Sequence, residues 1–177
     1  PELMLRLQAM SPADVGDASR IDKLLLELRG DAMPDLSKAE LEPHAAAIMR
    51  CFGASTAEEI LVLLDAEKED REWAAKTAKV LRSMSPTSVK LTMEGMKRST
   101  TLNIGEALAM EYRMAERCVL RPQPQSDFYE GIRAVLVDKD NNPSYLPKTL
   151  EEVHSVESFF APLEAGHPRG ELPSQTS

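Results

Sequence analysis

The sequence predicts an all-α fold, and three observations support this prediction. Apolar residues recur at the three- and four-residue spacing of a helix face along most of the chain. Convincing two-residue alternation, which is typical of a half-buried strand, is missing. Aromatic residues make up only 5% of the 177 residues, so Leu, Ala, Ile, Val and nine Met must form the core. Ala and Met favour helices over strands.

In the first half of the chain, helices are predicted at 2–9, 17–28, 40–52, 55–64 and 69–84. The first is followed by a break at Ser11-Pro12. Gly30 is the predicted stop of the second, because Gly readily adopts the left-handed conformation that ends helices. Pro43 lies in the first turn of the third, where a missing N–H is tolerated. Ser55 and Glu58 have the spacing of a capping box, which predicts the start of the fourth.

The later helices are predicted to begin at capping signals, namely Ser85 before Pro86, Asn103 with Glu106, and Thr149 with Glu152. The helix that Asn103 opens is the longest and runs to about Leu120. Residues 121–126 are a predicted surface loop, and 141–143 (NNP) a turn. The helix after Thr149 is predicted to be short.

A further helix is predicted at 128–137, with Asp127 as its N-cap residue. Phe128, Ile132 and Val135 are expected to face a core. Gly131 lies inside this helix, where glycine costs about 1 kcal/mol relative to alanine. We therefore expect another backbone or helix to approach closely at Gly131.

Composition and charge exclude several classes of function. The formal net charge of −8 argues against a nucleic-acid partner, which requires clustered Lys and Arg. The sequence contains no 18-residue apolar run, so no membrane partner is expected. Cys51 and Cys118 do not form a disulfide framework and are predicted to be small apolar residues on helix faces.

No catalytic residue and no metal ligand set is predicted. His44 lacks a second histidine one helical turn away, and a zinc site needs three or four converging ligands. His154 and His167 are predicted to be solvated. No nucleophile elbow or phosphate-binding glycine loop occurs in the sequence.

Several ordered motifs form a recognisable signature. They are SPTSVKLT at 85–92, MEYR at 110–113, DFYEGIRA at 127–134 and DKDNNP at 138–143. The earlier run at 44–64 fits the same pattern. This set resembles the C-terminal helical part of the 3-hydroxyisobutyryl-CoA hydrolases, in the crotonase (enoyl-CoA hydratase/isomerase) superfamily. Tyr145 stands where a Trp is common in that family.

The resemblance implies a chain that lacks the N-terminal ββα spiral core, where crotonase-like proteins bind the CoA thioester. The oxyanion hole and the acidic residues of the hydrolases belong to that core, so no catalytic residue is assigned here. By resemblance, Phe128 and Lys139 lie near the rim that meets the CoA adenine and phosphates. Coenzyme A enters as part of the substrate, and no separate cofactor is expected.

On the same resemblance, the full-length protein is a mitochondrial hydrolase that converts 3-hydroxyisobutyryl-CoA to 3-hydroxyisobutyrate and CoA in valine breakdown. This chain would cover and stabilise the CoA-binding core. Its expected partners are the core itself and, through the core, the acyl-CoA; an exposed docking face would also permit self-association. The alternative is a non-catalytic crotonase-like assembly component, for example of the mitochondrial ribosomal small subunit.

The expected organisation has three parts. Residues 1–16 are the end of the core or a linker helix, 17–161 the C-terminal helical domain, and 162–177 a flexible tail. The tail is rich in Gly, Pro, Ser and charge. No targeting segment is recognisable in the chain.

Overall fold

The computed structural model describes residues 2–30, 39–120 and 126–172. These residues form helices and loops without any strand, which confirms the all-α class. The helices are α1 (Glu2–Ala9), α2 (Pro12–Val15), α3 (Ala18–Arg29), α4 (Ala45–Phe52), α5 (Ala57–Ala66), α6 (Arg71–Ser83), α7 (Pro86–Ser99), α8 (Ile104–Leu120) and α9 (Asp127–Ile132). Two 3-10 turns, Glu42–His44 and Glu157–Phe159, and a π-helical turn, Arg133–Val137, complete them.

The chain divides into two compact units, residues 1–43 and 44–177. In the first unit, Asp17 caps α3 by accepting a hydrogen bond from the Ser19 N–H. Gly30 ends this helix at a φ of 58°, as predicted. The predicted break at Ser11-Pro12 is confirmed, since it separates α1 from the one-turn helix α2, which Ser11 caps. The predicted division at residues 17 and 162 stays a prediction.

In the second unit, α4, α5 and α6 enclose one apolar core. Its buried members are Cys51, Ile60, Leu64, Ala74 and Ala78. The two alanines are one turn apart on α6, and their small side chains allow α5 to pack closely. Burial of Cys51 confirms its prediction as a small apolar residue.

Two predicted helix starts in this unit are wrong by a few residues. The capping box of α5 joins Thr56 and Glu59, because each side chain accepts a hydrogen bond from the other's backbone N–H. Glu58, predicted as the capping partner, instead pairs with Lys90 at 2.7 Å. The helix predicted to begin at residue 40 begins at Ala45, after a 3-10 turn that contains Pro43.

A second core joins α7, α8 and the 3-10 turn at Glu157–Phe159. Leu91, Met110, Phe159 and Phe160 are buried in it. The predicted caps of α7 and α8 are confirmed, since Ser85 accepts from the Ser88 N–H and Asn103 exchanges two hydrogen bonds with Glu106.

The short helix predicted after Thr149 is wrong. The Glu152 carboxylate accepts a hydrogen bond from the Lys148 N–H rather than the Thr149 N–H, and the chain continues in turns. The predicted loop at 121–126 lies, apart from Ser126, outside the residues that the structure describes.

The first core generates a test of the fold. Leu64 is 2% exposed, whereas Val62 on the same helix is 66% exposed. We expect Leu64→Ala to lower the free energy of unfolding by about 2–5 kcal/mol, because it removes buried surface and leaves a cavity. Val62→Ala should change it by less than about 0.5 kcal/mol. Urea unfolding followed by circular dichroism measures both, and equal losses would contradict the packing described here.

Candidate functional site

A buried carboxylate, Glu130 on α9, organises the segment that carries the family-like signature. Glu130 is 8% exposed, and both of its oxygens accept hydrogen bonds from Arg133, at 2.8 and 2.9 Å. It also accepts from the Ser144 N–H at 2.7 Å. Arg133 extends the network by donating to Asp138 at 2.6 Å and to Asp140 at 2.7 Å. One guanidinium therefore holds the loop 138–144 against the helix.

This environment keeps both central groups charged. Hydrogen bonds from Arg133 and from the Ser144 N–H lower the pKa of Glu130 from an ordinary 4.5 to about 2. Hydrogen bonds to Glu130, Asp140 and Asp138 raise the pKa of Arg133. A carboxylate with so low a pKa is ionised near neutral pH, and its hydrogen bonds fix the positions of Arg133 and Ser144. Glu130 is therefore a positioning group.

Asp127 joins three parts of the second unit. Its carboxylate accepts from the Ser85 hydroxyl at 2.5 Å, at the start of α7, and from the Leu146 N–H at 3.0 Å. Asp127 was predicted as the N-cap residue, but the N-cap is Ser126, whose hydroxyl donates to the Cys118 carbonyl. The Asp127 side chain is engaged by these longer-range contacts instead of capping its own helix.

The close approach predicted at Gly131 is made by Tyr145. A Cβ atom at Gly131 would lie 3.3 Å from the Tyr145 hydroxyl oxygen. The approaching group is thus a ring and not a backbone or a helix. Burial, with smaller contributions from Asp127 and Glu130, raises the pKa of Tyr145, which stays protonated.

The prediction that Phe128 and Val135 face a core is wrong. Phe128 is 47% and Val135 54% exposed, whereas the buried residues of this segment are Glu130 and Ala134. We call the exposed apolar residues of this segment the docking face: Phe128, Tyr129, Val135, Leu136 and Val137. These apolar residues lie outward because Glu130 and Ala134 take the buried positions of the segment.

A cavity of about 460 Å³ lies beside the docking face. Phe128, Val135 and Leu136 line one side of it, and Met84 and Tyr145 contribute to the rest. Met84 also lines a neighbouring apolar groove of about 550 Å³ that runs along α7. The α7 residues that line this groove include Val89, Met93 and Met96, which follow one another at spacings of four and three residues.

The two residues predicted to lie at the CoA rim occupy different positions. Phe128 lies at the cavity, with its ring 5.5 Å from that of Tyr129 in an edge-to-face arrangement. Lys139 is exposed, at a φ of 56°, between the two aspartates that Arg133 holds. It does not line the cavity. The role of both residues at CoA stays a prediction.

Two of the three histidines, His44 and His167, contact other side chains, whereas His154 is exposed, as predicted. His44 Nδ1 lies 2.5 Å from Asp70 Oδ2, and its ring stacks on Trp73 at 5.4 Å. The prediction that His167 is solvated is wrong, since its side chain is 15% exposed and lies 3.7 Å from Glu116. Among the described residues, no group of three or more His, Cys, Asp or Glu has the arrangement of a metal site. No helix in the described ranges is long and apolar enough to cross a membrane.

Comparison with known proteins identifies the family. The profile of the enoyl-CoA hydratase/isomerase family matches residues 1–160, and the chain belongs to this family. It is 38% identical over 127 residues to the mitochondrial 3-hydroxyisobutyryl-CoA hydrolase of Dictyostelium discoideum, which covers 70% of this chain and 32% of the relative. The Gallus gallus protein of that name is 34% identical over 92% of this chain and 41% of the relative.

A plant relative has the same degree of similarity. The 3-hydroxyisobutyryl-CoA hydrolase 1 of Arabidopsis thaliana is 34% identical over 80% of this chain and 39% of its own length. The chain thus spans 32% to 41% of the length of these three relatives.

The contact between Gly131 and Tyr145 generates a double-mutant test. We expect Gly131→Ala to be less favourable than the helix preference of alanine alone would make it, because the added Cβ meets the Tyr145 hydroxyl at 3.3 Å and the Tyr145 side chain has to shift. With Tyr145→Phe in the background, the same change should become neutral or stabilise by up to about 1 kcal/mol, the helix preference of alanine over glycine. Thermal unfolding of the four variants measures the coupling. An identical effect of Gly131→Ala in both backgrounds would contradict it.

The lowered pKa of Glu130 predicts a dependence of stability on pH. A group with a lowered pKa in the folded state stabilises the fold above its unfolded pKa and loses this effect as pH falls. Glu130→Gln should therefore be less stable than the wild type near neutral pH. The difference should shrink as pH falls from about 4.5 to about 2.

Urea unfolding at several pH values measures this difference. Glu111→Gln is the matched control, since Glu111 is exposed on α8. A difference between wild type and Glu130→Gln that does not change with pH would contradict the role of Glu130.

Proposed function

We propose that this chain is the helical C-terminal part of a mitochondrial acyl-CoA thioester hydrolase that acts on 3-hydroxyisobutyryl-CoA. The names of the relatives and their similarity over most of this chain support the proposal. The reaction adds water to the thioester carbonyl and breaks the C–S bond. Its products are 3-hydroxyisobutyrate and CoA, whose thiolate takes up a proton.

In this proposal the chain supports a catalytic core and supplies no reacting group. The observation that carries this role is the docking face, which exposes five apolar side chains in a single short segment. Leu136 and Val137 are 67% and 68% exposed. Exposed apolar residues grouped in this way are typical of surfaces that another protein part covers.

The polar network behind the docking face supports the same role. Glu130, Arg133 and Asp127 connect α9 to the loop 138–146 and to α7. A surface held by buried charge-assisted hydrogen bonds loses little conformational entropy when it docks. The core of the same protein is the proposed partner, and Phe128 and Lys139 are proposed to approach its bound CoA.

A matched pair of substitutions in the full-length protein tests the role. Leu136 and Val62 are similarly exposed, at 67% and 66%, but only Leu136 belongs to the docking face. Leu136→Asp should weaken docking, because it places a charge in an apolar interface. The expected result is a clear loss of hydrolysis of 3-hydroxyisobutyryl-CoA and increased protease cleavage between core and helical part.

Val62→Asp is the control and should leave both properties near wild type. Equal behaviour of the two variants would overturn the proposed docking face. Absence of turnover in the wild-type full-length protein would overturn the hydrolase proposal and favour a non-catalytic assembly role.

A further inference from the structure

The residues that follow the family match fold against α8. We call 161–172 the C-terminal strap; the family profile ends at residue 160. Arg117 on α8 donates to the Pro162 carbonyl at 2.9 Å, and Arg169 in the strap donates to Glu116 at 2.9 Å. Arg113 donates through Nε to both oxygens of Glu171, at 3.0 and 3.1 Å. Three successive ionic or polar contacts therefore hold the strap on one face of α8.

The hydrogen-bond donors around the Glu171 carboxylate are of the kind that binds a free anion. Besides Arg113, it accepts a hydrogen bond from the Leu163 backbone N–H. Partial burial raises the pKa of Glu171, but the Leu163 N–H, Arg113 and then Arg117 together lower it below its ordinary value. A guanidinium and a backbone N–H that converge on one point form a common anion-binding arrangement.

Arg117 carries a second guanidinium near the strap, and only part of its N–H groups make hydrogen bonds. Its Nη2 donates to the Pro162 carbonyl, while its Nη1 is buried without a hydrogen-bond partner among the described residues. A buried donor without a partner costs free energy. The charge of Arg117 already acts on the Glu171 carboxylate, so we expect a ligand with more acceptor oxygens to recruit this second guanidinium once Glu171 moves away. A phosphoryl group carries three such oxygens and up to two negative charges.

We propose that Arg113, Arg117 and the Leu163 N–H form a phosphoryl-binding site that Glu171 occupies in the same chain, so that the strap competes with the ligand. The neighbouring Glu116 carboxylate accepts a hydrogen bond from Arg169 at Oε1, while its buried Oε2 lies 3.7 Å from His167 and has no hydrogen-bond partner among the described residues. Only the Glu171 side chain has to leave. The site lies on the strap and α8, apart from the docking face, and does not depend on thioester hydrolysis.

Binding of inorganic pyrophosphate tests the proposal. Isothermal titration at low ionic strength should show weak binding to the wild-type chain. Glu171→Gln should bind pyrophosphate at least about fivefold more tightly. The substitution removes the internal competitor, and coupling between two binding sites typically changes an affinity by at least this factor. Glu164→Gln removes the same charge from an exposed position in the strap and should bind as the wild type does. Arg113→Gln, added to Glu171→Gln, should abolish the gain.

A second measurement uses the wild-type chain without substitution. Excess pyrophosphate should shift the Nε–H resonances of Arg113 and Arg117 in the NMR spectrum, whereas acetate at equal ionic strength should not. Equal affinities of Glu171→Gln and wild type would overturn the proposal. A gain in Glu164→Gln equal to that in Glu171→Gln would also overturn it, since overall charge would then explain the binding.

Discussion

The buried carboxylate of Glu130 is the constraint on which the signature segment depends. An ionised carboxylate removed from water is costly unless charge-assisted hydrogen bonds replace its hydration. Arg133 provides two of them, and the Ser144 N–H a third. Arg133, whose side chain is 34% exposed, also donates to Asp138 and Asp140 in the loop that follows. Burial of one group thus fixes the path of the following loop.

The outward position of the apolar side chains follows from the same constraint. Since Glu130 and Ala134 take the inner side of the segment, Phe128, Val135 and Leu136 have to point elsewhere. A segment with charged residues inside and apolar residues outside is the reverse of an ordinary surface helix. Such a segment is stable when another part of a protein covers its outer side and removes the apolar side chains from water, which is the role that we propose.

Sequence patterns predicted those features that depend on neighbouring residues. The caps of α7 and α8 were found because each cap is a local hydrogen bond between residues three apart. The capping box of α5 was placed one residue early, since Ser55 with Glu58 and Thr56 with Glu59 fit the same spacing. Only the contact of Glu58 with Lys90, 32 positions along the chain, separates the two alternatives.

The features of the site that the sequence did not predict depend on contacts between residues that are far apart in the chain. The apolar pattern of Phe128, Ile132 and Val135 predicts a buried helix face, and no local signal indicates that Glu130 is buried in its place. Tyr145 approaches Gly131 from a position 14 residues away, so the need for a glycine was visible but the approaching group was not.

Arginine–carboxylate pairs have different consequences in two parts of this chain. Around Glu130, the carboxylate is 8% exposed and accepts three hydrogen bonds, so removing Arg133 leaves a buried charge without compensation. At the strap, Arg113 and Glu171 have side chains 28% and 33% exposed, and water can replace either partner at little cost. The first arrangement suits a permanent structural joint, and the second suits a contact that a competing anion displaces.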